Sequence, residues 1–151
     1  MARSVLARGP FTEWLKDKLT LDGLLVGLGD APDGGGWSSD PQSSSTSYTM
    51  YCSLLPRQGS VAESPLDDPE SSWNLAYTVT SYGITSHQVE YQADKARKVV
   101  SEMPRDSVTL GGLTWRIMKT RCDSIGSVDV NKNLDPFEYS QTDIYIITLT
   151  Q

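Results

Sequence analysis

The sequence predicts an α+β fold: a single, mainly antiparallel β-sheet flanked by two helices, with long loops between the elements. Three observations lead to this prediction. Two segments carry apolar residues at helical spacing, several others are rich in β-branched and aromatic residues, and two stretches rich in Gly, Ser, Asp and Pro separate them. With 151 residues, the chain is long enough for one domain with one core.

The central unit of the prediction is a strand followed directly by a helix. Residues 73–83, WNLAYTVTSYG, are rich in β-branched and aromatic side chains, which suit a pleated, half-buried surface. Thr85 is a good N-cap with Gln88 three residues later, as in a capping box, and Pro104 ends the helix. Gln92 is expected on the exposed side. The stripe predicted to face the sheet comprises Val89, Ala93, Ala96, Val100 and Met103.

The elements on the N-terminal side follow from shorter patterns. Residues 11–19, FTEWLKDKL, follow Pro10 and predict a short helix that must dock on the sheet to be stable. Its apolar face comprises Phe11, Trp14, Leu15 and Leu19. Residues 21–28 are apolar and predict a short strand or a turn. Residues 48–55, YTMYCSLL, predict a strand that is apolar on both faces.

A hairpin is predicted after the central helix. Its strands cover residues 108–110 and 113–122, joined at Gly111-Gly112, because both glycines tolerate the positive φ of a tight turn. Strict alternation in LTWRIMKTRC would place Leu113, Trp115, Ile117, Lys119 and Arg121 on one face. Residues 123–137 are predicted to be irregular, and residues 143–150, DIYIITLT, form the final predicted strand.

Two long loops are predicted, over residues 29–47 and 56–72, because both stretches are rich in Gly, Ser, Asp and Pro. Trp37 is the one large apolar residue of the first loop. A loop of this length in a compact domain is either a contact arm or a flexible segment, and the composition favours the two equally.

The charge is acidic and unevenly distributed. The chain has 13 basic and 19 acidic residues, a net charge of −6, and residues 21–74 contain eight acidic residues against one basic residue, Arg57. Proteins that grip the nucleic acid backbone carry a basic patch on the phosphates, so specific nucleic acid binding is not expected. If DNA passes nearby, an acidic surface would repel it and keep it sliding.

No cofactor or metal site is predicted. The glycines of residues 27–36 lack a third dinucleotide-loop glycine, because Pro32 stands there, and no Gly-Lys-Ser/Thr follows. Asp129, Asn131 and Asn133 match three calcium-loop positions, but the glycine and the bidentate glutamate of that loop are missing. A turn rich in Asx residues is favoured there.

No catalytic residue is predicted either. His87, the only histidine, is expected to be exposed in the first helical turn, and no nucleophile-elbow pattern accompanies it. Asp67, Asp68 and Glu70 lie in a Pro/Ser loop where nothing separates their pKa values, which favours solvated charge over a glycosidase pair.

The cysteines and the hydropathy favour cytosolic synthesis. Cys52 and Cys122 both fall in predicted strands, and two thiols do not make a disulfide framework, so both are expected to be small buried apolar groups. No apolar run approaches the roughly 20 residues that span a bilayer. The N-terminus shows no apolar signal-peptide core.

The run YTVTSYGITSHQVEYQADKARKVV, residues 77–100, resembles the central strand–helix segment of the tail terminator (tail completion) proteins of long-tailed, siphovirus-type bacteriophages. In that family a strand ending in V-T-S-x-G precedes a T-x-x-Q-A-x-x-x-A-D-x-A-R-like helix. The matching residues are Val79, Thr80, Ser81, Gly83, Thr85, Gln88, Ala93, Asp94, Ala96 and Arg97, while Val89 stands where alanine is common. The match lies in a structural unit and supports family membership better than any single-residue role.

The resemblance implies a structural virion protein, not an enzyme, that requires no cofactor. Residues 1–151 would form a single tail-terminator-like domain. Six copies would form a ring that caps the tail tube at its head-proximal end, stops tube polymerisation and provides the surface for head attachment. The implied partners are further copies of the chain, the tail tube protein and the head–tail connector protein, with DNA passing through the lumen. The protein would be made in the host bacterial cytoplasm.

Residues for subunit contacts follow from residue type. One face of the sheet is expected to carry the helices, and the other is expected to pack on a neighbouring subunit or line the lumen. Because aromatic residues and arginine are enriched at interfaces, the candidates are Trp37, Trp73, Trp115, Arg116 and Phe137. Trp73 and Trp115 are equally expected in the core.

Arg97 and the overall role each keep more than one interpretation. Arg97 is expected to pair with Asp94 at i,i+3, and the resemblance adds a contact with a neighbouring subunit. One alternative role is another neck protein, such as a head completion or head–tail joining protein. The other is a small ligand-binding or enzymatic domain that uses the Gly/Ser loop as a lid.

Overall fold

The computed structural model describes residues 6–37, 48–61, 72–133 and 137–151. This part of the chain contains two helices and nine strands. The helices are α1 (Arg8–Leu21) and α2 (Ser86–Ser101). The strands are β1 (Val26–Leu28), β2 (Gly36–Trp37), β3 (Tyr48–Thr49), β4 (Tyr51–Pro56), β5 (Ser60–Val61), β6 (Ser72–Gly83), β7 (Ser107–Leu110), β8 (Leu113–Asn131) and β9 (Glu138–Thr150).

The chain combines two helices with two sheets. The α+β class is therefore confirmed, and the prediction of a single sheet is wrong. The main sheet has the order β1-β4-β6-β9-β8-β7, with β5 added beside β6. It is mixed, because β1 runs parallel to β4 while the other neighbours are antiparallel. β2 and β3 form a separate two-stranded sheet.

Short strands lie inside both predicted loops. β2 and β5 have only two residues each, too few to show a period in the sequence. β2 pairs with β3, and the Trp37 and Tyr48 rings of the two strands make an edge-to-face contact with centroids 5.2 Å apart. Residues 38–47 and 62–71 of the two predicted loops lie outside the described residues.

Helix α2 confirms the predicted helix and its buried stripe. The Thr85 side chain accepts a hydrogen bond from the Gln88 backbone N–H at 3.2 Å, and Gln88 Oε1 accepts one from Ile84 N–H at 3.0 Å. The predicted stripe is buried throughout: Val89, Ala93, Ala96, Val100 and Met103. The expectation for Gln92 is wrong, because its side chain is 2% exposed and donates to the Tyr82 carbonyl at 2.8 Å.

Helix α1 is longer than predicted and docks on the same core. Phe11, Leu15 and Leu19 are buried at helical spacing, as expected. The Thr12 and Tyr77 hydroxyls lie 2.8 Å apart in the buried interface, which ties the helix to the middle of β6. Among the described residues, no helix has both the length and the apolar character needed to cross a membrane.

The predicted hairpin is present, with Gly111 at φ 58° and Gly112 at φ 83° between β7 and β8. The predicted alternation fails after Ile117, because a β-bulge lies between Ile117 and Lys119. A bulge adds one residue to one strand, so the side chains from Lys119 to the next bulge lie on the opposite face from the one predicted. Lys119 therefore points away from the core, and not toward the side of Trp115.

Residues 123–137 were predicted to be irregular, and this is wrong for most of them. Strand β8 continues to Asn131 and pairs with β9 along its length. Two further bulges, between Cys122 and Ser124 and between Ile125 and Val128, interrupt the period in the sequence. The pairing with β9 forms the strand although some of its residues, such as Gly126, have low β propensity.

Both helices pack on one face of the main sheet. The odd-numbered residues of β6 and β9 point into a single core with the apolar faces of α1 and α2. From the sheet this core includes Leu75, Tyr77, Val79, Trp115, Ile117, Tyr145, Ile147 and Leu149. The even-numbered residues of the same strands consequently face the other way.

Candidate functional site

The face of the main sheet opposite the helices is the candidate site, and we call it the open face. Within the described ranges, neither helix packs on it. From β4, β6 and β9 it carries mostly small, hydroxyl-bearing and β-branched residues, in cross-strand register: Ser53, Leu55, Ala76, Thr78, Thr80, Ile144, Ile146 and Thr148. Most of these side chains are half-buried by their neighbours, and Leu55 is exposed. A partly apolar surface of this kind suits a protein partner.

A cleft of about 340 Å³ lies at one end of the open face, and we call it the basic cleft. It is lined by Gln58, Ser60, Asn74, Ala76, Lys119, Arg121, Ile146 and Thr148. Two of these residues are cationic and none is acidic. Thr148 donates to Asn74 Oδ1 at 2.7 Å, which leaves the Asn74 amide nitrogen as a donor. The basic cleft is therefore rich in hydrogen-bond donors around a small apolar floor.

The cations of the basic cleft differ in their partners. Arg121 Nη2 lies 3.0 Å from Asp123 Oδ1, and both side chains are largely exposed. Lys119 makes no ion pair with a described residue. Exposed pairs such as Arg121–Asp123 contribute little stability and exchange readily, so both cations are accessible to an anionic group.

A second cluster lies at the opposite end of the open face, and we call it the aromatic corner. It comprises Trp37, Tyr48, Tyr51, Tyr82 and Glu138. The Tyr51 and Tyr82 rings stack with centroids 4.8 Å apart, and Tyr48 donates to Glu138 Oε2 at 3.3 Å. Burial, and next the Glu138 carboxylate, raise the pKa of Tyr48. Burial, Glu138 and Tyr82 raise the pKa of Tyr51 to about 12. These hydroxyls stay neutral donors at physiological pH.

An ion pair links α2 to β9 and includes the buried carboxylate of Asp143. Arg97 bridges the exposed carboxylate of Asp94 at 2.9 Å and the buried carboxylate of Asp143 at 3.3 Å. Asp143 also accepts from the Gly126 backbone N–H at 3.1 Å and from Gln141 Nε2 at 3.0 Å. The predicted Arg97–Asp94 pair is confirmed, while the Asp143 contact was not predicted because it joins residues far apart in the chain.

The five predicted interface residues lie in different environments. Arg116 is exposed and follows the register of the open face, opposite Thr150. Trp37 belongs to the aromatic corner at 39% exposed, and Phe137 is 44% exposed just before β9. Trp73 is half-buried against the core, and Trp115 is fully buried within it, as the alternative interpretation expected. Trp115 is thus not available to a partner in this fold.

The remaining chemical candidates lie apart from one another. His87 is exposed at the start of α2, and Asp129 lies within β8 opposite Ser140, not in a metal loop. Asn131 Oδ1 accepts from the Asn133 N–H at 3.1 Å, an Asx turn. Gly27 serves close packing, because a Cβ there would lie 2.0 Å from the Asp30 carbonyl oxygen.

The other chemical candidates are the two cysteines and the three carboxylates of the second predicted loop. Cys52 is buried and Cys122 is half-buried, and both are free thiols within strands. Asp67, Asp68 and Glu70 lie outside the described residues. In the ranges that the structure describes, no three His, Cys, Asp or Glu side chains are grouped in a way that would hold a metal ion.

The basic cleft and the aromatic corner both carry groups suited to recognising a charged partner. The cleft offers donors and positive charge, and the corner offers a carboxylate among aromatic rings. In comparisons with models of protein families and with curated protein sequences, the chain matches none.

Proposed function

We propose that this chain is a structural virion protein, a tail terminator that forms a ring on the head-proximal end of a phage tail tube. The residues of the resemblance, 77–100, coincide with the end of β6 and nearly all of α2. They form one packed strand–helix unit at the centre of the fold, which is the unit that the resemblance requires.

One observation carries the proposal. The helices cover a single face of the main sheet and leave the open face with two chemically different patches, the basic cleft and the aromatic corner. A closed ring of identical subunits needs two different, complementary surfaces on each subunit. The two patches of the open face differ in composition, which supports the proposal.

The proposed mechanism is geometric. Subunits meet head-to-tail, and closure leaves no end for further growth. A tube that carries this ring presents a different surface from the tube protein, so it adds no further tube ring and instead meets the head–tail connector protein. The residues of the chain act by binding, and the role requires no catalytic group or cofactor. The lumen would pass DNA without gripping it, in keeping with the net charge of −6.

The test is to grow the phage that encodes this chain with a stop codon early in its reading frame and to measure tails by electron microscopy. Without the terminator, tubes should exceed their normal length while heads remain without tails. Supplying the chain from a plasmid should restore normal length and joining.

Two other outcomes would contradict the proposal. Tails of normal length that fail to join heads would favour a head completion or head–tail joining protein. Absence of any tube would indicate an earlier role, such as initiation at the baseplate.

A further inference from the structure

The basic cleft and the aromatic corner lie at opposite ends of the same strands. Asn74 lies in the cleft and Tyr82 lies in the corner, and both are in β6. They lie eight positions apart, which is about 27 Å along a strand. No side chain spans that distance, so the two patches do not neutralise each other within one subunit.

The cleft is built for a carboxylate. Lys119 has no ion-pair partner within the described ranges, and Arg121 holds a single exposed one. Donors from β5, β6 and β8 converge there, and Ala76 and Ile146 form a floor that accepts apolar or aromatic groups. A carboxylate carried on an aromatic surface would satisfy both parts of this lining.

The aromatic corner has the complementary composition. It presents the carboxylate of Glu138 beside the Tyr48 hydroxyl and the partly exposed ring of Trp37. Gly35 packs against Tyr51, and Asp33 lies two residues before it. The chain has no lysine or arginine between Leu21 and Arg57, so nothing from this stretch offsets the negative charge. Aromatic rings beside a carboxylate favour a lysine or arginine side chain.

We infer that the basic cleft of one copy receives the aromatic corner of the next copy, with Glu138 meeting Lys119 across the contact. The inference rests on the proposed ring and names the surfaces that close it. The two patches differ and occupy different ends of the face, so their contact is heterologous, as a ring requires. The opposite charges also orient the approach of two otherwise acidic chains.

Charge reversal tests this contact with proteins added to isolated, uncapped tail tubes. Lys119→Glu and Glu138→Lys should each lower the fraction of tube ends capped at a given concentration by at least tenfold, because each places like charges at every contact. Lys98→Glu, an exposed reversal on α2, should cap like the original chain. Circular dichroism should give the same folded spectrum for all of them.

Mixing the two single variants is the decisive measurement. In an alternating ring, the cleft of each Lys119→Glu copy meets the corner of a Glu138→Lys copy, and every other contact keeps the original pair. An equal mixture should therefore restore capping, and so should the double variant. Each variant alone should not.

The outcomes separate this inference from the proposed function. If the original chain caps tubes and both single variants cap equally well, the ring stands and the inferred contact falls. If the single variants fail and neither the mixture nor the double variant recovers, the two residues do not meet, and the inference falls again. If the original chain never binds tube ends, the proposed function fails and the inferred contact fails with it.

Discussion

At the scale of single residues, Arg97 offers a direct comparison between a buried and an exposed carboxylate. Asp143→Ala leaves the Arg97 charge and the Gly126 N–H without their buried partner, so we expect a loss of about 3 kcal/mol in the free energy of unfolding. Asp94→Ala removes a partner that is 73% exposed, for which we expect about 1 kcal/mol or less. Urea unfolding of both variants checks the difference, and equal losses would contradict it.

Gly126 lies in the β8 bulge between Ile125 and Val128, where its N–H donates to Asp143. This position requires a glycine. A Cβ at this position would lie 2.2 Å from the Thr142 carbonyl oxygen, which belongs to the backbone and has little freedom to shift. We expect Gly126→Ala to lower the free energy of unfolding by about 2 kcal/mol or more. Gly9→Ala is the matched control, because that glycine is in α1 with no atom within 4 Å of the added Cβ. It should be neutral or slightly stabilising, and a larger loss there than at Gly126 would refute the assignment.

The buried thiol of Cys52 leads us to expect that the free energy of unfolding decreases at alkaline pH. Burial raises the pKa of its thiol from 9.0 to about 11. The folded state therefore favours the neutral thiol, and the associated stability is complete below pH 9 and is lost as the pH rises through 11. The full effect is about 3 kcal/mol.

Urea unfolding between pH 8 and pH 11 tests this prediction. The original chain should lose stability more steeply than Cys52→Ala, while Cys122→Ala, the control for loss of a thiol, should keep the steep decline. Parallel curves for the original chain and Cys52→Ala would show that another group is responsible.

At the scale of elements, helix α2 gives a test of its buried face. Ala93→Glu would bury an unpaired carboxylate against the sheet, and we expect a loss of more than about 3 kcal/mol or failure to fold. Tyr91→Glu adds the same charge on the exposed side, four residues before Lys95, and should cost less than about 1 kcal/mol. Similar melting temperatures for the two variants would mean that the face is misassigned. Gln92 is unsuitable as an exposed control, because it is buried against Tyr82.

The predictability of each element depended on how local its signal was. Both helices and the turn at Gly111-Gly112 were predictable, because caps, stripes and positive-φ glycines act within a few residues. The extension of β8 beyond Cys122 was not, because three bulges break its period and its partner β9 is distant in the chain. β2 and β3 are likewise short strands that pair across a gap in the chain, with Trp37 opposite Tyr48.

The candidate site was predictable only in part for the same reason. Arg116, Trp37 and Phe137 were selected by residue type and are exposed. Lys119 and Arg121 were assigned to the face of Trp115, and the bulge after Ile117 places them on the opposite one. Asn74 joins them through strand register, which a single sequence does not encode locally.

At the scale of the whole molecule, the single core predicts cooperative unfolding. Side chains from α1, α2 and the strands of the main sheet belong to one continuous cluster around Tyr77 and Trp115. We expect thermal unfolding followed by far-ultraviolet circular dichroism to coincide with unfolding followed by tryptophan fluorescence. Two separated transitions would show that the chain holds more than one independent unit.

The position of β9 determines when the open face is completed during synthesis. β9 comes after every other described strand in the chain, yet it lies in the sheet between β6 and β8. Until residues 138–150 have left the ribosome, β6 and β8 have no common neighbour, and the open face is incomplete. A nascent or prematurely terminated chain therefore lacks the complete open face, and under the proposed function such a chain could not enter the ring.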